Sequence, residues 1–191
     1  PPLGANQGHV FWAWMVYSLQ HPVNGHEGRY GYMGEDLSKV GILVRREIEA
    51  RIAAPLIKAF IDEIGREKTL KIVERVIESL AVESGQQFAK LVGGNSIEDF
   101  SNSLKYFTKD NALELEVIES SPKKLLMDVK RCRYAEMYRE LGIEEFGFLL
   151  SCGRDFAMVR GFNPKIRFKR TKTLMKGDDC CDFRYEMVEE D

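Results

Sequence analysis

The stretch Asn111 to Cys132, NALELEVIESSPKKLLMDVKRC, decides the fold, because the hydrophobic period changes there. Leu113, Leu115 and Val117 alternate with Glu114 and Glu116, the period of two expected of a strand with one face inward. Ser120-Ser121-Pro122-Lys123 then makes a turn into a second run, Lys124 to Cys132. Two such runs joined by a short turn read as an antiparallel hairpin.

On either side the spacing is helical. From Leu37, the residues Val40, Leu43, Val44, Ile48, Ile52, Leu56, Phe60 and Ile64 line one apolar face of a helix kinked at Pro55 and stopped at Gly65. Arg45 to Arg51 in that helix reads as a set of i,i+4 pairs, such as Glu47 with Arg51, on an exposed face. A second helix carries Leu70, Val73, Val76 or Ile77, Leu80, Phe88 and Leu91, and ends at Gly93-Gly94. Ser96 and Asp99 resemble a capping box opening a third, with Phe100, Leu104 and Phe107 inward. After the hairpin, Tyr134, Met137, Tyr138 and Leu141 restore helical spacing up to Gly142, and another helix runs from about Glu144 to Arg160, with Gly161 after it. Lys165 to Lys176, a Gly177-Asp178-Asp179 turn and Cys180 to Met187 close the chain as a second hairpin. The order α-α-α-β-β-α-α-β-β predicts an α+β fold, with helices packed on one face of an antiparallel sheet made of two hairpins.

A chain of 191 residues suits one compact domain with a sizeable core. Its 28 Lys+Arg against 30 Asp+Glu give a net charge of -2, which excludes the basic field that a nucleic-acid partner requires. A 44% hydrophobic content argues against disorder. Val10 to Leu19, VFWAWMVYSL, is apolar but far shorter than the ~20 residues of a membrane span. No Lys or Arg precedes that run and no small-residue cleavage pattern follows it, so it is read neither as a membrane anchor nor as a signal peptide. Residues 1–34 are expected to be a leader, and 35–191 a single α+β domain. Four cysteines are too few for a disulfide-stapled scaffold, and free thiols without an export signal point to the cytoplasm.

All four thiols, Cys132, Cys152, Cys180 and Cys181, lie in the second half, whereas His9, His21 and His26 lie in the leader. Chemistry in the second half must therefore run on thiol, carboxylate and guanidinium groups. Cys152 and Asp155, three apart in LLSCGRDFAMVRGF, share a helix face. Cys181 shares a strand face with Phe183 and Tyr185, and Cys132 ends the second strand, so thiols on three elements could converge on one side of the sheet. Free Cys is also a common buried filler, and that reading stays open. A nucleophilic thiol needs a nearby cation or base; the candidates are Arg154, Arg170 and Arg184, and Asp155, Asp182 and Glu136. No C-x2-C pair marks a zinc site, and no Gly-rich phosphate loop, H-E-x-x-H or G-x-S-x-G occurs. No metal and no cofactor is expected.

The segments Arg131-Cys132-Arg133-Tyr134-Ala135-Glu136-Met137-Tyr138, Leu149-Leu150-Ser151-Cys152-Gly153-Arg154-Asp155, Gly161-Phe162-Asn163-Pro164, Arg170-Thr171-Lys172-Thr173 and Gly177 to Tyr185, together with VRREIEARIAAPLIKAF at Val44 to Phe60, resemble the L-2-amino-thiazoline-4-carboxylic acid hydrolase family. The resemblance runs from about Leu37 to the C-terminus. It implies a hydrolase that opens a small cyclic amidine or isothiourea to an N-carbamoyl amino acid. Cys152, Cys181, Asp155 and Cys132 would then be catalytic, and Arg170, Thr173 and Tyr134 would bind a small-molecule carboxylate substrate. The last part is also similar to 4-vinyl-reductase type small-ligand domains, some of which hold zinc. The helix and last-strand ligands of that site correspond to Cys152 and Cys181, but the other two positions fall near Arg170 and Thr173, which cannot complete it. This second likeness leaves a non-catalytic small-molecule binding or sensing domain as the alternative and implies a possible homodimer; a helical interaction module is a third reading.

Overall fold

The computed structural model describes residues 40–188, so the leader lies outside the described residues. Helix α1 (Ile42–Ile64) and helix α2 (Arg66–Val92) are joined by Gly65 alone, whose φ of 85° lies in the left-handed region. Helix α3 (Ile97–Thr108) opens on the expected capping box, with the Asp99 N–H donating to Ser96 Oγ and the Ser96 N–H to Asp99 Oδ2. A 3-10 turn at Lys109–Asn111 leads into β1 (Leu113–Ser121), which pairs antiparallel with β2 (Lys124–Cys132). Helix α4 (Arg133–Glu140) starts directly after β2. The short α5 (Glu144–Gly147) passes through a π turn, Phe148–Cys152, towards α6 (Arg154–Phe162). Strand β3 (Ile166–Lys169), a 3-10 turn at Leu174–Lys176 and β4 (Cys181–Met187) complete the domain.

The four strands form one antiparallel sheet in the order β1-β2-β4-β3, an α+β fold as expected. Alternation along β2 buries Leu125, Met127 and Val129, and the register sets Val129 opposite Cys181 and Leu125 opposite Tyr185. That register carries the Cys181 thiol inward. One core cluster gathers Ile97, Phe100, Val159, Phe162 and Ile166 on these strand residues; another packs Ala50, Ala54 and Ile57 of α1 against Tyr138, Phe146, Leu150 and Met175. Helices α2 and α6 cross in near backbone contact through two glycines. A Cβ on Gly85 would meet the Met158 carbonyl oxygen at 2.0 Å, and one on Gly161 the Val82 oxygen at 2.1 Å. Gly161 is thus a packing residue within α6 and not the residue after the helix. No described helix is long and apolar enough to cross a membrane.

Three sequence expectations are corrected. The α1 face read as core is the outer one: Val44, Ile48, Ile52, Leu56, Phe60 and Ile64 are exposed, Ile52 by 60%. The core takes the row of small residues instead, Ala50 and Ala54, which let α1 approach closely. The helix expected from Glu144 to Arg160 is interrupted by the π turn. Lys165 to Lys176 is a strand only as far as Lys169, because carboxylates replace the ladder beyond it. Asp182 accepts from the Thr171 and Lys172 N–H groups at 2.8 and 2.6 Å, and Asp178 accepts from that of Thr173 at 2.6 Å. Arg170 to Thr173 thereby leave the sheet and turn towards the helices.

Candidate active site

Four elements bring their polar residues together where the chain departs from β3. The π turn ends at Cys152, α6 begins with Arg154 and Asp155, the irregular segment contributes Arg170 and Thr173, and β4 starts at Cys181. Thr173 Oγ1 sits between two thiols: Cys181 Sγ donates to it at 3.7 Å, and it donates to Cys152 Sγ at 3.7 Å. The Leu174 N–H donates to Cys181 Sγ at 3.3 Å and the Met175 N–H to Thr173 Oγ1 at 3.3 Å, which holds this chain in place. Gly147 permits the approach of the 3-10 turn, since a Cβ there would lie 2.4 Å from Met175 Sδ.

Beside the thiols lies an ion pair. Arg170 Nη1 donates to Asp155 Oδ2 at 2.5 Å, and Nη2 donates to the Cys152 carbonyl at 3.0 Å. The guanidinium is caged by Phe148, Phe156, Phe168 and Phe183, with ring centroids 5.2 to 5.8 Å away, and only 3% of the side chain is exposed. Both prongs of Arg170 are therefore committed inside the protein. Asp155 keeps 29% of its side-chain surface open although it is closely surrounded. Burial raises its carboxyl above the ordinary value, against the pull of Arg170, Arg154 and Arg46.

The thiols are held in the neutral form. Burial, then the Asp155 charge, pushes Cys152 up to about 12; burial pushes Cys132 up to about 11 and raises Cys181 as well. Cys132 belongs to the same cluster, because its charge would act on Cys152 and Cys181's would act on it. Tyr134, whose hydroxyl donates to the Phe107 carbonyl at 3.2 Å, lies beside Cys132 with its own ionisation suppressed by burial. Cys180 is buried but contacts none of these groups through a hydrogen bond. Arg184 is spent on Asp128 and the Met127 carbonyl, Asp182 on the Thr171 segment and Glu136 on Arg131, so none of these three serves the thiols. Among the described residues, no group of three or more His, Cys, Asp or Glu side chains is arranged to hold a metal ion.

Sequence reasoning placed Arg46 on an exposed face, yet its side chain is 17% exposed and its charge acts on Arg154, Asp155, Tyr134 and Tyr138. The signal was legible in the i,i+4 row Ile42-Arg46-Ala50-Ala54, the row that α1 buries. Glu47 with Arg51 does form the expected surface pair, at 2.7 Å.

A family model described as L-2-amino-thiazoline-4-carboxylic acid hydrolase matches residues 45–185. No curated protein matches the sequence. Similar solved structures include the phenol-responsive sensory domain of the transcription activator PoxR with phenol, at 12% identity and a TM-score of 0.47 over 76% of each chain. Another is a trafficking protein particle complex subunit 3 from Naegleria fowleri covalently bound to palmitic acid, at 13% identity and a TM-score of 0.47 over 76% of this chain and 96% of that one.

Proposed function

The chain belongs to the L-2-amino-thiazoline-4-carboxylic acid hydrolase family, and from that premise we propose that it opens a small cyclic amidine or isothiourea, such as L-2-amino-thiazoline-4-carboxylate, to an N-carbamoyl amino acid. The observation that carries this reading is the Cys181–Thr173–Cys152 chain beside the Asp155–Arg170 pair. Ring opening adds water at C2 and breaks the C2–S bond; the water oxygen ends as the carbonyl, one proton goes to the ring nitrogen and the other to the departing sulfur. Asp155, with its open surface and raised proton affinity, takes the proton as water attacks. Arg170 orients Asp155 and stabilises its ionised form. The neutral Cys152 thiol, backed by the hydrogen-bond chain from Cys181 through the Thr173 hydroxyl, donates towards the ring heteroatoms and stabilises charge that develops on them. Cys132 and Tyr134 border this cluster. A resting thiolate nucleophile is disfavoured by the raised Cys152 and Cys181 values, so attack by water is preferred over a covalent route.

Mass spectrometry of L-2-amino-thiazoline-4-carboxylate incubated with the protein tests the reading. The expected product carries the mass of one added water, and Asp155→Asn lowers the rate by about two orders of magnitude. Full activity in Asp155→Asn, Cys152→Ser and Cys181→Ser alike would refute the assignment. Binding of the compound without turnover would instead favour the non-catalytic small-molecule binding or sensing domain. A homodimer is supported by the exposed row on α1, since Val44, Ile48, Ile52, Leu56, Phe60 and Ile64 present apolar surface along the whole helix; sedimentation equilibrium checks it.

A further inference from the structure

Guanidinium groups outnumber carboxylates beside the thiol cluster. Among the described residues, the acids that act on Arg45 and Arg46 of α1, Arg154 of α6 and Arg170 are Glu49 and Asp155. Asp155 is taken by Arg170, and Glu49, half exposed, by Arg46. Among the described residues, Arg154 has no ion pair. Arg45 Nε is buried with no hydrogen-bond partner among the described residues, an uncommon and costly state for a guanidinium N–H. The charges of Arg46 and Arg154 both act on the Tyr138 hydroxyl, as does Cys152, so this surplus adjoins the thiols. Burial and the neighbouring Arg46 charge lower Arg154 to about 10, as expected where cations crowd without an anion between them.

We propose that Arg46 and Arg154, with Arg45 behind them, form an anion subsite that binds the carboxylate of the small-molecule substrate. This proposal deepens the ring-opening reading and rests on it for the choice of substrate. A planar carboxylate matches the forked donors of a guanidinium, and its negative charge reduces an excess of two positive charges. The role expected of Arg170 thus passes to Arg154, which has no ion pair among the described residues, and to Arg46, whose partner Glu49 is half exposed and takes only one of its donors. Anchoring the carboxylate on the α1 and α6 side leaves the rest of a small heterocycle to extend towards Cys152, Thr173 and Asp155.

Calorimetric titration with L-2-amino-thiazoline-4-carboxylate and with its carboxamide tests the subsite. The unaltered protein is expected to bind the carboxylate about 30-fold more tightly than the carboxamide, the size of a charge-assisted hydrogen-bond pair. Arg154→Gln and Arg46→Gln each reduce that ratio towards unity while carboxamide affinity stays within about threefold. Arg154→Lys restores part of it. A ratio near unity in the unaltered protein, absence of binding by both probes, or a ratio preserved in both Gln variants overturns the proposal. Should Arg154→Gln fail to fold, Arg46→Gln alone is decisive. Turnover is read separately: discrimination without turnover sinks the hydrolase reading and leaves the subsite standing, and turnover with an Arg-independent ratio does the reverse.

Discussion

Removing either partner of the Asp155–Arg170 pair should destabilise the domain, but unequally and with opposite freedom to adjust. Asp155→Asn leaves a guanidinium that stays charged, with a side chain 3% exposed. Loss of one partner of a buried pair costs about 3–5 kcal/mol. The Cys152 carbonyl and the four Phe rings still hold the cation, which places the expected loss near the lower end, about 3 kcal/mol. Arg170→Met instead leaves Asp155, which has open surface and can take a proton, while the thioether fits among aromatic rings; about 2 kcal/mol is expected at about pH 8. The pH dependence follows from the raised carboxyl. The folded state of Arg170→Met holds a proton that the unfolded chain releases, so its stability is greatest below the ordinary carboxylate range and is lost as pH rises through the folded-state value. Its deficit therefore shrinks towards about pH 5, by about 1.4 kcal/mol for each unit crossed below that value. Urea unfolding of both variants at about pH 5 and about pH 8 measures this. A smaller loss for Asp155→Asn than for Arg170→Met at the higher pH, or a pH-independent loss for Arg170→Met, refutes the reasoning.

Three further outcomes are expected. With its thiol pushed up to about 12, Cys152 should react with iodoacetamide at a rate rising about tenfold per pH unit from about pH 7 to about pH 10, read by peptide mass spectrometry; a plateau below about pH 9 contradicts burial as the governing effect. Gly161→Ala forces a Cβ into the Val82 carbonyl and should cost about 3 kcal/mol in urea unfolding despite the better helix propensity of Ala, whereas an unchanged midpoint would deny the close crossing of α2 and α6. On α1, at concentrations where the chain is monomeric, Ile52→Lys should change stability by no more than about 0.5 kcal/mol and Ala54→Leu should cost about 2 kcal/mol; the reverse order would return the helix to the orientation expected from hydrophobic spacing.

That orientation shows where hydrophobic period stops being informative. Both rows of α1 recur at four-residue spacing, one of large aliphatics and one running Ile42-Arg46-Ala50-Ala54, and amphipathicity alone favours the larger. Close packing favours the smaller, because Ala lets the helix axis approach Tyr138 and Phe146 and brings Arg46 inward along the same row. The hairpin of β1 and β2 was legible for the opposite reason, because a period of two admits only two faces; of the row read as inward, Leu113 and Leu115 are half-buried and Val117 is exposed.

The same distinction separates what was legible in the site from what was not. Cys181 could be found because it starts a strand whose period aims it, whereas Cys152, read on an unbroken helix, ends a π turn. Thr173 and Arg170 lie where that period ends, and their placement depends on Asp178 and Asp182 capturing backbone N–H groups several residues away. A basic strand, Lys165 to Lys172, therefore reads in sequence as one solvated face, although its fate changes at residue 170. Once the backbone turns inward, Arg170 must find both an anion and a desolvated cage, and it finds them in Asp155 and four Phe rings. With Arg170 thus neutralised from within, the proposed carboxylate contact falls to Arg154, which has no ion pair among the described residues, and to Arg46, which shares its charge with the half-exposed Glu49.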